Sequence, residues 1–170
     1  AEHLVNAWIR TFNFPGIICR PSNNYGPFQH SEKFIPKVIK NCLQRKKIPI
    51  YGSGLQSRNW IHVSDTVGAL IKVMKYSKIG KTYNISSDRV IKNIDIVKII
   101  YELISKKIYK NNIIKLENLI FRIEDRLGHD FLYHIDNSKI KKELSWKPNI
   151  ELKQGLENTI NWYLKNFEKN

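Results

Sequence analysis

Apolar residues recur at helical spacing from the first positions of the chain. Leu4, Val5, Trp8, Ile9 and Phe12 share one face, and "NFPG" ends the run. "GIIC" (16–19) is short and β-branched, the pattern of a buried strand. The stretch "RPSNNYGPFQHSEKFIP" follows, with prolines, a glycine and paired asparagines, and gives way to an amphipathic helix carrying Phe34, Ile35, Val38, Ile39, Cys42 and Leu43. "IPIYG" (48–52) reads as a strand, "SGLQS" as a loop and "NWIHV" as an alternating strand. Ser64 or Asp65 is placed to cap a helix with Val67, Leu70, Ile71 and Met74. "KTYNIS" is a further strand, and Asn93 is placed to cap a helix holding Ile96, Val97, Ile100, Leu103 and Ile104. A strand is expected near Leu119–Ile123, then helices around Ile140–Leu144 and from Leu152 to Phe167. Strand and helix alternate, which predicts an α/β fold with parallel pairing.

The polar junction after "GIIC" then acquires a meaning. In open α/β sheets the carboxyl end of a strand is where ligands bind. Asn, Gly and Pro are also ordinary turn formers, so turn chemistry alone does not demand a ligand there.

Charge changes the picture next. The 170 residues carry 29 Lys and Arg against 15 Asp and Glu, a net charge of +14. Such a balance raises nucleic-acid binding. The lysines, however, are scattered as pairs on the polar faces of helices, amid many Ile and Asn. Neither zinc-finger spacing nor the aromatic–basic signature of an RNA-binding sheet occurs. A solvated basic exterior that favours an anionic small ligand accounts for the charge better, so no nucleic-acid partner is expected. The two cysteines, Cys19 and Cys42, sit in apolar contexts that suggest neither disulfide nor metal site. No apolar run reaches membrane-span length and no signal-peptide layout opens the chain, so a cytoplasmic protein without a membrane partner is the default expectation.

"SNNYGPFQHSEKFIP", "IPIYGSG", "SRNWIHVSD", "YNISS", "KNIDIV", "EDRLGHD" and "LSWKP" occur in one order and spacing that closely resembles the C-terminal half of dTDP-glucose 4,6-dehydratases, extended short-chain dehydrogenase/reductases. The resemblance implies the C-terminal part of a Rossmann-like NAD-binding sheet plus a smaller α/β substrate-binding domain. It places residues 1–25 and 60–85 in the former, and residues 26–59 and 86–170 in the latter. It implies NAD as cofactor, a dTDP-sugar as substrate and a homodimer for the complete enzyme. In that family a nucleotide-linked sugar is oxidised at C4, loses water across C5 and C6, and takes the hydride back at C6.

Site roles follow from the resemblance. Asn23 would bond the substrate near its sugar and phosphates, and Asn24 would lie by the nicotinamide end of NAD. Glu32, Lys33 and Phe34 would begin the helix facing the nucleotide. Pro49, Ile50 and Tyr51 would hold the thymine, and Arg58 would clamp the diphosphate with its forked guanidinium. Asn93, Asp125, Arg126, Gly128 and His129 would complete the pocket. Taken singly, several have plainer readings. Lys33 suits a solvated helix, Tyr51 a half-buried strand, Asn93 an N-cap, and His129 a hydrogen-bonded surface histidine.

The chain departs from the family pattern at three places. Leu127 stands where Pro is usual, Asn59 where Asp is usual, and "FLYH" (131–134) where an arginine-rich stretch is common. None of the eight glycines forms a glycine-rich dinucleotide loop, and no Tyr-x-x-x-Lys pair occurs. By the resemblance that Lys would lie just upstream of Ala1. The expectation is a substrate-binding half, inactive alone and paired with a separately encoded N-terminal half. The alternatives are an inert remnant or binding module, or a related nucleotide-sugar epimerase or decarboxylase.

Overall fold

The computed structural model describes residues 1–109 and 114–166. Helix α1 (Glu2–Phe12) leads into strand β1 (Ile18–Pro21), which pairs in parallel with β5 (Thr82–Ile85), Ile18 opposite Thr82 and Cys19 opposite Tyr83. Between them lie β2 (Asn23–Tyr25), α2 (Phe34–Leu43), β3 (Ile48–Tyr51), β4 (Ser57–His62) and α3 (Val63–Tyr76). After β5 come β6 (Val90–Lys92) and α4 (Asn93–Ile104), which ends in a π-helical turn over Ser105–Tyr109. Helix α5 (Leu116–Leu119), β7 (Ile120–Ile123), β8 (Leu132–Tyr133), α6 (Ser138–Leu144) and α7 (Leu152–Asn166) complete the described chain. Strand β4 is central to a second sheet, parallel to β2 and β8 and antiparallel to β6. Strands β3 and β7 form a third, parallel pair. The α/β fold with parallel pairing is thus observed, as the strand–helix alternation predicts.

Several boundaries differ from expectation for identifiable reasons. Leu119 closes a short helix, so the expected strand begins one residue later. Strands β2, β6 and β8 span three residues or fewer, too short to leave any periodicity in the sequence. Asn93 is the first residue of α4 and its side chain makes no capping bond. Helix α3 is capped neither by Ser64 nor by Asp65. Its cap is His62, whose Nδ1 accepts the Ser64 N–H at 3.2 Å. Phe167 lies outside the described residues.

Two apolar clusters hold the molecule. One joins α2, α4 and α7 through Ile35, Ile39, Ile96, Ile100, Leu156 and Ile160, with Ile48 and Ile50 beneath. The other gathers Ala69 and Val73 of α3, Tyr83 and Ile85 of β5, and Ile140 and Leu144 of α6. Helix α6 therefore packs beside β5, whereas α7 packs with α2 and α4.

Helix α3 is rotated from its apparent amphipathicity. Val67, Leu70, Ile71 and Met74 face outward, Met74 at 80% exposure. The buried face is Asp65, Thr66, Ala69 and Val73. Two polar anchors set this rotation. The Asp65 carboxylate accepts the Asn149 and Ile150 N–H groups at 3.0 Å each, and the Thr66 hydroxyl donates to Asn24 Oδ1 at 2.6 Å. Helix α1 likewise buries no residue completely. Both helices thus present exposed apolar residues, and the only strand partner of β1 among the described residues is β5.

The seam between α7 and β2 is tighter. Tyr25 is 1% exposed, and a methyl added at Gly155 would overlap its hydroxyl. Gly155→Ala is therefore expected to destabilise the protein by about 1–3 kcal/mol through overpacking, against a helix-propensity gain of about 1 kcal/mol. Urea denaturation monitored by circular dichroism measures the net effect. A more stable variant would show that Tyr25 is free to move aside.

Candidate functional site

The first residue of β2, the start of α2 and the strands β3 and β4 enclose a cleft of about 330 Å³. Sequence periodicity explains the placement. Period-two alternation on β4 puts Arg58 and Trp60 on one face, and parallel pairing sets Asn23 opposite Trp60. Phe34 stacks on Trp60, ring centroids 5.8 Å apart and nearly coplanar at 23°. Glu32, Lys33 and Lys37 line the rim from the α2 side, and Pro49, Ile50 and Tyr51 from β3. A neighbouring, more open cleft of about 570 Å³ continues past Arg58 and Asn23, along Arg126, Leu127, Gly128 and His129.

Three buried polar atoms on residues lining this cleft have no hydrogen-bond partner among the described residues: Asn93 Oδ1, Gln56 Oε1 and Trp60 Nε1. Two are acceptors and one is a donor. Buried polar groups are ordinarily bonded, so an unmet set converging on one cleft marks a place for a polar ligand. Gln56 and Trp60 were not candidates on sequence grounds. Trp60 was legible in principle, lying two residues from Arg58 on the same strand face. Gln56 sits in an irregular loop and leaves no such signal.

The loop after β7 forms the second wall. Asp125 does not line the cleft but anchors this loop. It accepts from Gln56 Nε2, from the Arg126 N–H at 2.9 Å, and lies 2.6 Å from His129 Nδ1. The His129 bond, followed by those from Arg126 and Gln56, holds the Asp125 carboxyl below its ordinary value of 3.8. His129 is thereby almost covered, its side chain 7% exposed and edge-on to Tyr51. The Arg126 guanidinium sits 5.1 Å over the Tyr51 ring. Gly128 adopts φ 68°, a backbone region that favours glycine, and lets the loop turn.

Arg58 is buried, and its guanidinium donates to the carbonyls of Ser57 at 2.8 Å and Asp130 at 2.6 Å. These bonds leave part of its donor fork for a ligand. Asn24 is differently placed. Its Oδ1 accepts from Thr66 and its Nδ2 donates to the Ser22 carbonyl at 2.9 Å, so both ends of the amide hold the chain together. With no glycine-rich cradle in the sequence either, the residues present do not by themselves fit NAD. Of the sequence candidates, Asn23, Glu32, Lys33, Phe34, Pro49, Ile50, Tyr51, Arg58, Asn93, Arg126 and His129 meet at one cleft. Gly128 lines the adjoining space.

The lowered Asp125 value carries a pH sign. A carboxylate whose folded pKa is depressed contributes order above its unfolded value, and loses it as pH falls through the folded one. Loop anchoring should thus persist down to about pH 4 and fail below it. Asp125→Asn should loosen the loop even at neutral pH. Hydrogen exchange at the His129 amide reads both effects, and exchange unchanged by the substitution would show that Asp125 is not the anchor.

A family model described as NAD dependent epimerase/dehydratase matches residues 1–86. The chain is 45% identical over 172 residues to a dTDP-glucose 4,6-dehydratase of Escherichia coli, covering 99% of this chain and 47% of that protein. It is 40% identical over 168 residues to one from Neisseria meningitidis serogroup B, again 47% of that protein's length. The solved dTDP-glucose 4,6-dehydratase of Bacillus anthracis, in complex with NAD, superposes with a TM-score of 0.88 at 37% identity, covering 98% of this chain and 50% of that one. The Streptomyces venezuelae enzyme, solved with NAD bound, gives 0.90 at 30% identity, covering 99% and 49%. The chain spans about half the length of each of these relatives. By the family model matched over half its residues, and by the fold shared with these enzymes, the chain belongs to the NAD dependent epimerase/dehydratase family.

Proposed function

We propose that this chain is the substrate-binding half of a dTDP-glucose 4,6-dehydratase and that its cleft takes a dTDP-sugar. The observation that carries the reading is the set of unmet polar atoms at one cleft. Asn93 Oδ1 and Gln56 Oε1 await donors, and Trp60 Nε1 awaits an acceptor. A pyrimidine imide such as thymine offers one N–H for one of the two acceptors and a carbonyl for Trp60 Nε1, sugar hydroxyls can donate to the other acceptor, and Tyr51 and Phe34 supply aromatic walls. Lys33, Lys37, Arg58 and Arg126 at the same cleft give a diphosphate its counter-charge. Arg58 suits the bidentate part of that task, Lys33 the point charge.

The relatives' names support the choice of nucleotide and sugar. In the complete enzyme NAD would remove hydride from the sugar and later return it. This chain's residues bind and orient the nucleotide. These residues contain neither a Tyr-x-x-x-Lys pair nor a glycine-rich loop, so groups from outside them would complete the site. Division into a lobe around β1 and β5 and a substrate lobe around α2, α4 and α7 is supported by the two separate apolar clusters. No helix among the described residues is long and apolar enough to cross a membrane.

Calorimetric titration with dTDP tests the reading. Binding is expected without NAD. Arg58→Ala should weaken it by about 1.5–3 kcal/mol, the range for bonds to a charged group. His129→Ala should cost less, because that side chain is spent on Asp125. Incubation of the chain with dTDP-glucose and NAD should yield no 4-keto product. Undetectable dTDP binding to a folded chain, or equal losses from the two substitutions, would overturn the assignment.

A further inference from the structure

The loop from Phe28 to Ser31, the later turns of α2 and the end of α7 enclose a cleft of about 440 Å³. It shares no lining residue with either cleft described above. Phe28 has φ 64° and is 84% exposed, so a bulky aromatic is held out to solvent in a backbone region that side chains avoid. Its ring meets Trp162 at 4.7 Å and 52°, leaving an open wedge rather than a closed stack. Trp162 is in turn braced edge-on by Tyr163 at 4.9 Å.

The polar groups of this cleft are held ready. The Tyr163 hydroxyl donates to the Gln29 carbonyl at 2.6 Å, pinning the loop to α7. The Gln29 Nε2 donates to the Asn24 carbonyl at 2.9 Å, which fixes the amide and leaves its buried Oε1 without a partner among the described residues. Lys40 and Gln44 stand at the opposite wall, and Lys40 forms no ion pair among the described residues. The cleft therefore combines an aromatic wedge, one unmet acceptor and one uncompensated cation.

We propose that this cleft is a second binding site, for a planar heteroaromatic ring carrying an anionic group. The ring would lie on the exposed face of Phe28 beside Trp162, its N–H would meet Gln29 Oε1, and its anion would face Lys40. The volume lies within the range of small-molecule sites. Base–aromatic stacking tolerates many rings because each presents a π-face, so the site recognises a class rather than one base.

Adenosine 5′-monophosphate is a suitable probe, titrated calorimetrically against the whole chain in saturating dTDP, with adenosine and ribose 5-phosphate as controls. The nucleotide is expected to bind. Phe28→Ala, a change at an exposed position, should weaken it about tenfold, within the range for loss of one stacking wall. Lys40→Ala should weaken it about fivefold, as should omitting the phosphate, in keeping with a partly exposed charge pair. Arg58→Ala should leave it unchanged, because Arg58 belongs to the other clefts. Three results would each overturn the proposal: no heat at millimolar nucleotide with a chain folded by circular dichroism, equal affinity in the Phe28 and Lys40 variants, or loss of binding in Arg58→Ala. Failure of dTDP to bind would refute the reading of the first cleft and leave this test standing.

Discussion

The buried amide of Asn59 is the interaction on which the candidate site depends. It lies at the middle of β4 with no exposure, and every polar atom it carries is used. Its Nδ2 donates to the carbonyls of Ser87 at 3.1 Å and Arg89 at 3.3 Å, and its Oδ1 accepts the Ile135 N–H at 3.1 Å. His134 Nδ1 lies 2.9 Å from the same oxygen. One side chain thus ties β4 to the segment before β6 and to the segment after β8. A carboxylate here could accept but could not donate to the two carbonyls. The resemblance read from the sequence implies Asp at this position and an arginine-rich stretch where His134 stands. Asn59 and His134 satisfy each other, so two separate departures become one consistent local solution. With β4 so held, Arg58 and Trp60 are fixed toward the cleft by alternation alone.

What was legible in the sequence follows from this division between periodic and non-periodic structure. Helices α2 and α4 could be placed from their apolar spacing because tertiary contacts cover the same face that the pattern marks. Helix α3 could be placed but not oriented, because its orientation is set by Asp65 and Thr66, two polar residues whose partners lie at Asn149, Ile150 and Asn24. Nothing in a hydropathy pattern announces a helix that turns its carboxylate inward and its Leu70 and Met74 outward. His62 as a cap was equally hidden, since Ser and Asp are the usual cap residues and both were at hand.

The cleft residues divide in the same way. Asn23, Lys33, Tyr51 and Arg58 come from four separate elements, and no spacing rule joins them; only the ordered resemblance to a known family did. The unmet atoms of Gln56 and Trp60 are visible only after folding, because orphanhood is a property of surroundings rather than of residue type. Asn24 shows the converse. Adjacent to Asn23 and identical in type, it points across the strand to Thr66 and serves the fold instead.

The two walls of the cleft differ in how they are held, and this bears on ligand capture. The wall made by α2, β3 and β4 rests on apolar packing and sheet pairing, with Ile35, Ile39 and Ile50 almost fully covered. The loop wall rests on polar bonds, chiefly Asp125 to His129 and Arg58 to the Asp130 carbonyl. Hydrogen bonds to charged groups contribute about 1.5–3 kcal/mol when well made, and a diphosphate is a stronger acceptor than a peptide carbonyl. A diphosphate reaching Arg58 therefore competes with the loop for the same guanidinium. If the ligand takes those donors, the Asp130 and Phe131 carbonyls lose a partner and the loop must shift toward solvent or onto the ligand. Exposed Leu127 and Phe131 on that loop give it apolar surface to lay down in the second case. On the proposed reading, the rigid wall would select the base and the polar loop would adjust to the phosphate.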